Sequence, residues 1–161
     1  MADSISFTVL NRPEPQGSTK AFVLPGKDGG KPRAILTSDN AKMKPYRQQL
    51  GWAANDAREK AGYLGLFAEH HVAVELEMKF FFARPPSIKK SRIHLVVKPD
   101  LDKICRSSID AMTGIMYADD GQIVKLTATK EYGIPERAEI TVTNLECVTP
   151  RMFDEKGLGA F

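Results

Sequence analysis

Between Lys98 and Lys130 lie two acidic groups, Asp100-Leu101-Asp102 and Asp119-Asp120, and no other stretch concentrates carboxylates in this way. Carboxylate oxygens that converge make a hard, charged site suited to Mg²⁺, with Mn²⁺ as a substitute. Convergence depends on the segment between them. Leu101, Ile104, Cys105, Ser108, Ile109 and Met112 recur at three- and four-residue spacing, which predicts an amphipathic helix over 103–113. Asp100 or Asp102 would cap it and Thr113-Gly114 would end it. That helix rises roughly 16 Å. Residues 114–120, nearly extended, can return roughly 23 Å. Asp120 can then come back beside Asp100 and Asp102, with Asp119 as an auxiliary. Taken singly, each motif has a plainer reading: Asp-x-Asp before a helix is a cap and Asp-Asp-Gly is a turn. The closing return path favours a site. Asp110, roughly 12 Å beyond Asp102 along the helix, reads as structural.

Charge is unevenly spread around these carboxylates. Residues 79–106 hold Lys79, Arg84, Lys89, Lys90, Arg92, Lys98, Lys103 and Arg106 against Asp100 and Asp102, a local +6 in a chain of net charge +3. The rest of the chain therefore carries −3. A carboxylate cluster alone repels phosphate, so a basic segment running into it fits a polyanion such as DNA. Lys89, Lys90, Arg92, Lys98, Lys103 and Lys130 are the cations expected to touch it, with Lys20 from an early loop. A solvated basic loop is the plain alternative, and for Lys130 an exposed lysine at a strand end.

The ordered set Asp100-Leu101-Asp102, Asp110-Ala111, Asp119-Asp120-Gly121-Gln122-Ile123 and Lys130 resembles the RusA family of Holliday-junction resolvases, the crossover junction endodeoxyribonucleases, of phage or prophage type. The family pattern runs Asp-x-Asp-Asn-x-x-Lys, Asp-Ala, Asp-Asp-x-Gln-hydrophobic, Lys. This chain departs from it twice: Lys103 stands for the Asn and Arg106 for the functional lysine. Gln16-Gly17-Ser18-Thr19-Lys20 is similar to the early loop of phage-type members. The resemblance implies a Mg²⁺-dependent endonuclease acting as a homodimer on branched DNA. Asp100, Asp102 and Asp120 would be metal ligands, Arg106 a catalytic cation, and the products 5′-phosphate and 3′-hydroxyl ends.

The elements that must position these residues follow from patterning. Ile5 to Leu10 alternates as a strand, and Ala21–Leu24 and Ala34–Thr37 can pair as a hairpin across a Gly-rich basic turn, a possible DNA-touching finger. Lys44 to Ala61 predicts a helix with Pro45 in its first turn and Gly62 at its stop. Trp52 lies off its apolar stripe and could face a second surface. His71 to Ala83 is the strongest strand, and Ile93 to Val97 a short one. His70-His71 at a strand start reads as a loop or edge feature because alternate side chains there diverge. Gln122–Glu131 and Ala138–Leu145 alternate and read as a hairpin. The fold class is α+β: a single mixed or mainly antiparallel sheet with two helices on one face. Residues 1–148 would form the domain and 149–161 a loose tail.

Composition agrees with one such domain: 161 residues, 42% hydrophobic. No apolar run is long enough to span a bilayer. Two cysteines, Cys105 and Cys147, outside any Cys-x-x-Cys pattern give no disulfide framework or zinc signature, which points to a reducing cytoplasm. Two rivals to the nuclease stand. One is a non-catalytic branched-DNA binding protein with a weakened site. The other is a nucleotide-sugar transferase using Asp100-Leu101-Asp102, disfavoured by the lack of a phosphate-cradling Gly loop. A calcium loop fails because aligning Gly121 with its invariant glycine puts Met116 and Thr127 where acidic ligands are needed.

Overall fold

The most strictly alternating stretch of the chain takes the centre of the molecule. Val74, Leu76, Met78, Phe80 and Phe82 point to one side of the strand β4 (Val74–Phe82) and are all but fully buried. That apolar face is buried under a packed layer, and a strand on each edge takes up the backbone hydrogen bonds. The computed structural model describes residues 4–17, 19–25, 31, 33–38 and 40–145, with the backbone alone for 19–22 and 35–38.

Around β4 the main sheet has the order β1-β6-β4-β5. The strands are β1 (Ser4–Val9), β5 (Ile123–Tyr132) and β6 (Arg137–Asn144). β5 runs parallel to β4, while β6 is antiparallel to both β4 and β1. A separate antiparallel pair, β2 (Thr19–Leu24) and β3 (Arg33–Ser38), is the expected early hairpin. Two helices complete the described fold: α1 (Met43–Lys60) and α2 (Leu101–Met112). Tyr46, Leu50 and Ala54 of α1 and Ile104, Cys105 and Met112 of α2 share one buried cluster with Leu76, Met78, Phe80, Ile140 and Val142. The opposite sheet face is polar, with Ser6 bonded to Thr141 and Lys125 paired with Glu75. The fold is therefore α+β with a mixed sheet, as expected.

One expected pairing is corrected. β5 and β6 do not form a hairpin, because β4 lies between them. Alternation is the same for strands that pair directly and strands that flank a third. The connection 133–136 can span the roughly 10 Å of two strand spacings, and it crosses the end of β4. There Gly133 N donates to Phe82 O at 2.9 Å, and Ala83 N donates to Glu136 Oε1 at 3.1 Å. A Cβ at Gly133 would meet Phe81 Cδ1 at 2.7 Å, so the crossing needs glycine.

Smaller differences also bear on the site. Ile93–Val97 is not a strand; Ile93 and Val96 are well exposed and no strand among the described residues pairs with them. The segment after α2 is a buried turn, not an extended return: Gly114 has φ 78°, its N donates to Tyr117 O at 2.7 Å, and Met116 and Tyr117 are fully buried. Gly62, with φ 89°, ends α1 as predicted. Trp52 is 65% exposed. No helix among the described residues is long and apolar enough to cross a membrane. Cys147, the expected tail 149–161 and most of the Gly-rich turn between β2 and β3 lie outside the described residues.

Candidate functional site

α2 begins two residues earlier than its hydrophobic spacing predicts, and this changes where the aspartates point. Asp100 holds the cap position with extended backbone, φ −71° and ψ 134°, but its carboxylate accepts no hydrogen bond from the first turn. Asp102 lies inside that turn, exposed, and accepts from Lys103 Nζ at 2.7 Å. This bond holds the Asp102 carboxyl below the usual carboxylate range. Two positions along a helix start are roughly 200° apart around the axis. Asp100 accordingly lines one recess, with Glu14, Gln16, Asn40, Lys98 and Lys103, while Asp102 opens on another.

That second recess lies between α2 and β5 and measures about 700 Å³. Leu101, Cys105, Ile109, Leu126 and Ala128 form its apolar floor, and Asp102, Asp110, Asp120 and Arg106 its rim. Asp110 is tied to Arg47, whose guanidinium also donates to Gln16 Oε1 at 2.5 Å. The structural role expected of Asp110 is therefore present, although its carboxylate borders the same recess as Asp102. Burial, and then the charge of Asp102, push the Cys105 thiol up to about 11, so at neutral pH it is an uncharged part of the floor. Burial, then the charges of Asp120 and Asp110, likewise raise the Tyr117 hydroxyl. Arg106 is exposed and has no hydrogen-bond or ion-pair partner among the described residues.

Asp120 is presented by a short 3₁₀ turn, Asp120–Gln122. Asp119 Oδ1 accepts from Gly121 N at 2.8 Å, so Asp119 caps the turn and opens on a different recess, beside His70 and His71. Gln122 locks it from below. Its Oε1 accepts from Ala118 N and Asp119 N at 2.8 and 2.9 Å, and its Nε2 donates to Glu69 O and Val72 O at 2.5 and 2.9 Å.

The expected meeting of Asp100, Asp102 and Asp120 in one cluster is thus not what the structure has. Among the described residues no group of three His, Cys, Asp or Glu side chains is gathered to hold a metal ion. Asp102 and Asp120 do share a recess. Mg²⁺ commonly keeps several waters and takes one or two carboxylates together with substrate phosphate oxygens. Two exposed carboxylates on a roomy, open recess fit that mode of binding.

The family model described as endodeoxyribonuclease RusA matches residues 25–143. This chain belongs to the RusA family. Among its relatives is the uncharacterized protein YqaN of Bacillus subtilis (strain 168), 26% identical over 150 residues that cover 87% of this chain and 96% of YqaN. RusA membership makes the chain a nuclease of the type that acts on branched DNA junctions.

On the RusA scaffold the cations sort by what they touch. Lys89, Lys90 and Arg92 are exposed on the loop between β4 and α2. Arg84 organises that loop: its Nη1 donates to Arg92 O at 2.7 Å and Lys89 O at 3.2 Å, and its guanidinium lies 3.9 Å over the Tyr132 ring. Lys98 lines the Asp100 recess, and Lys103 is engaged by Asp102. Lys130 turns inward, its Nζ donating to Val97 O and Pro99 O, each at 2.9 Å. Lys20 lies in β2, and its side chain is outside the description. Patterning missed the role of the β1–β2 loop. Gln16 N donates to Lys103 O at 2.9 Å, docking the loop against the first turn of α2. The only signal was the weak Gln16–Lys20 likeness.

Proposed function

We propose that this RusA-family chain is a metal-dependent Holliday-junction resolvase that makes paired symmetric nicks, leaving 5′-phosphate and 3′-hydroxyl ends. The observation that carries this reading is the shared recess of Asp102 and Asp120, open to solvent beside Arg106, which has no partner among the described residues. Asp102 and Asp120 are the residues proposed to hold Mg²⁺, or Mn²⁺ in its place. When bound, the ion supplies Lewis-acid polarisation of the phosphate and a more acidic attacking water. Asp100 is the proposed third ligand. Its exposed carboxylate makes no cap bond, and side-chain rotation is fast enough to bring it round as DNA arrives. Asp119 acts through the turn it caps, holding Asp120 in place.

The chain's own cations do the rest. Lys89, Lys90, Arg92 and Lys98 take backbone phosphates and so set register without reading sequence. Arg106 sits one helical turn beyond Asp102 and neutralises charge on the non-bridging oxygens of the scissile phosphate. Arg keeps the charge of the family's lysine but presents it as a wider planar fork. Matched nicks on a two-fold junction call for two sites, which a C2 homodimer supplies. The proposed setting is the cytoplasm of a bacterial cell or phage-infected host.

The test is cleavage of a synthetic four-way junction in Mg²⁺ by wild type and Asp120→Asn, with linear duplex as control. We expect paired nicks from wild type and a loss of at least about 100-fold in Asp120→Asn, with junction binding retained. Junction binding without nicks in either Mg²⁺ or Mn²⁺ would favour the non-catalytic binding protein. The separate recesses of Asp100 and Asp102 are the observation on that side.

A further inference from the structure

We propose that Lys130 is a positioning residue for Asp100 and not a contact to DNA. The chain between β4 and α2, residues 83–100, contains no helix or strand. Beyond two turn bonds, Ile88 N to Pro85 O and Arg92 N to Lys89 O, and the first bond of α2 at Asp100 O, its backbone must be held by side chains or left to water. Its far end, immediately before Asp100, is held by Lys130. The Nζ of Lys130 donates to Val97 O and Pro99 O at 2.9 Å each, and the peptide that follows Pro99 carries Asp100.

The placement of Lys130 suits this work. In the sheet it stands opposite Phe80, a fully buried residue, so its stem leaves from the edge of the core and is itself partly buried. Pro99 is buried where the ammonium meets it. An ammonium has three donor positions, and two are taken by carbonyls that no strand serves. To reach a phosphate, Lys130 would have to release both. Two residues further along β5, Tyr132 carries the stacked Arg84 that ties the near end of the same loop. The end of β5 thus grips the loop at both ends, and the catalytic-side grip is Lys130.

This inference rests on the nuclease reading only for its rate measurement. Three readouts test it. The first is amide hydrogen exchange of the free protein, comparing wild type with Lys130→Met. Exchange at Ile104, whose amide donates to Asp100 O at 3.2 Å, should rise about tenfold, with β4 and β6 unchanged. The second is junction binding in EDTA across a salt series, where affinity should stay within about twofold and the salt slope should be unaltered. The third is the single-turnover cleavage rate in Mg²⁺. It should fall about 100-fold in Lys130→Met, the scale of a small misplacement at a reacting centre. The double variant Asp100→Asn/Lys130→Met should be no slower than Asp100→Asn alone, because both changes act through one group.

Unchanged exchange at Ile104 overturns the proposal. So does weakened binding with a salt slope reduced by about one, which marks a lost phosphate contact. If Lys130→Met loses the global fold, Lys130→Arg is measured in the same way. It keeps the charge but cannot place a compact ammonium between the two carbonyls. Absence of cleavage by wild type would count against the nuclease reading alone, since exchange still decides the role of Lys130.

Discussion

Gln122 is the residue on which the acidic turn depends. Both amide ends of its side chain are doubly engaged, and it is buried beneath Asp119 and Asp120. Gln122→Ala would leave Val72 O and the amides of Ala118 and Asp119 without that partner, while Glu69 O keeps its bond from Val72 N, at a cost of about 3 kcal/mol. In a protein of this size that lowers the melting temperature by about 10 °C, readable by circular dichroism. At this scale the sequence was partly legible. Asp-Asp-Gly could be a turn or a site, and the structure shows the turn: Asp119 builds it, and it presents Asp120 to the recess where the metal is proposed to bind. Asp100 and Asp102 were harder to read. Their spacing is visible in the chain, but their direction depends on where α2 starts. Moving that start by two residues takes Asp102 from a capping position into the first turn and away from Asp100.

At the scale of elements, the loop between β4 and α2 behaves as a built part. Two of its turns close on themselves, Ile88 N to Pro85 O and Arg92 N to Lys89 O, each at 3.0 Å, and Arg84 braces them against Tyr132. Arg84→Lys keeps the charge but loses the fork and the stacked plane. Junction affinity should fall about five- to tenfold, measured by fluorescence anisotropy. Affinity equal to wild type would mean that Arg84 contributes charge alone. Composition shows eight cations in residues 79–106 but cannot say which are engaged inside the protein. Lys79 is paired with Glu77, Arg84 with carbonyls and a ring, and Lys103 with Asp102. Lys89, Lys90, Arg92, Lys98 and Arg106 remain for a ligand. α1, α2, β1, β4 and β6 were legible because each buries one face of a regular pattern. The partner of β5 was not, since alternation carries no record of which strand lies alongside.

For the molecule as a whole, the sheet order has a consequence in time. Every rung of the four-stranded sheet joins residues at least 49 positions apart, the nearest being Val74 with Ile123. By contrast, the last rung of the β2–β3 pair, Leu24 with Arg33, closes over nine. A chain emerging from unfolding can form that hairpin and both helices from local contacts, but the sheet must wait for long loops to close. Such topologies refold on the scale of milliseconds to seconds, and stopped-flow fluorescence of Trp52 with far-ultraviolet dichroism would follow the phases. The recess of Asp102 and Asp120 has one wall on α2 and the other on β5, so it comes into being only when β5 docks beside β4. A partly assembled chain can therefore hold every acidic residue of this nuclease and still lack the recess proposed as its place to cut.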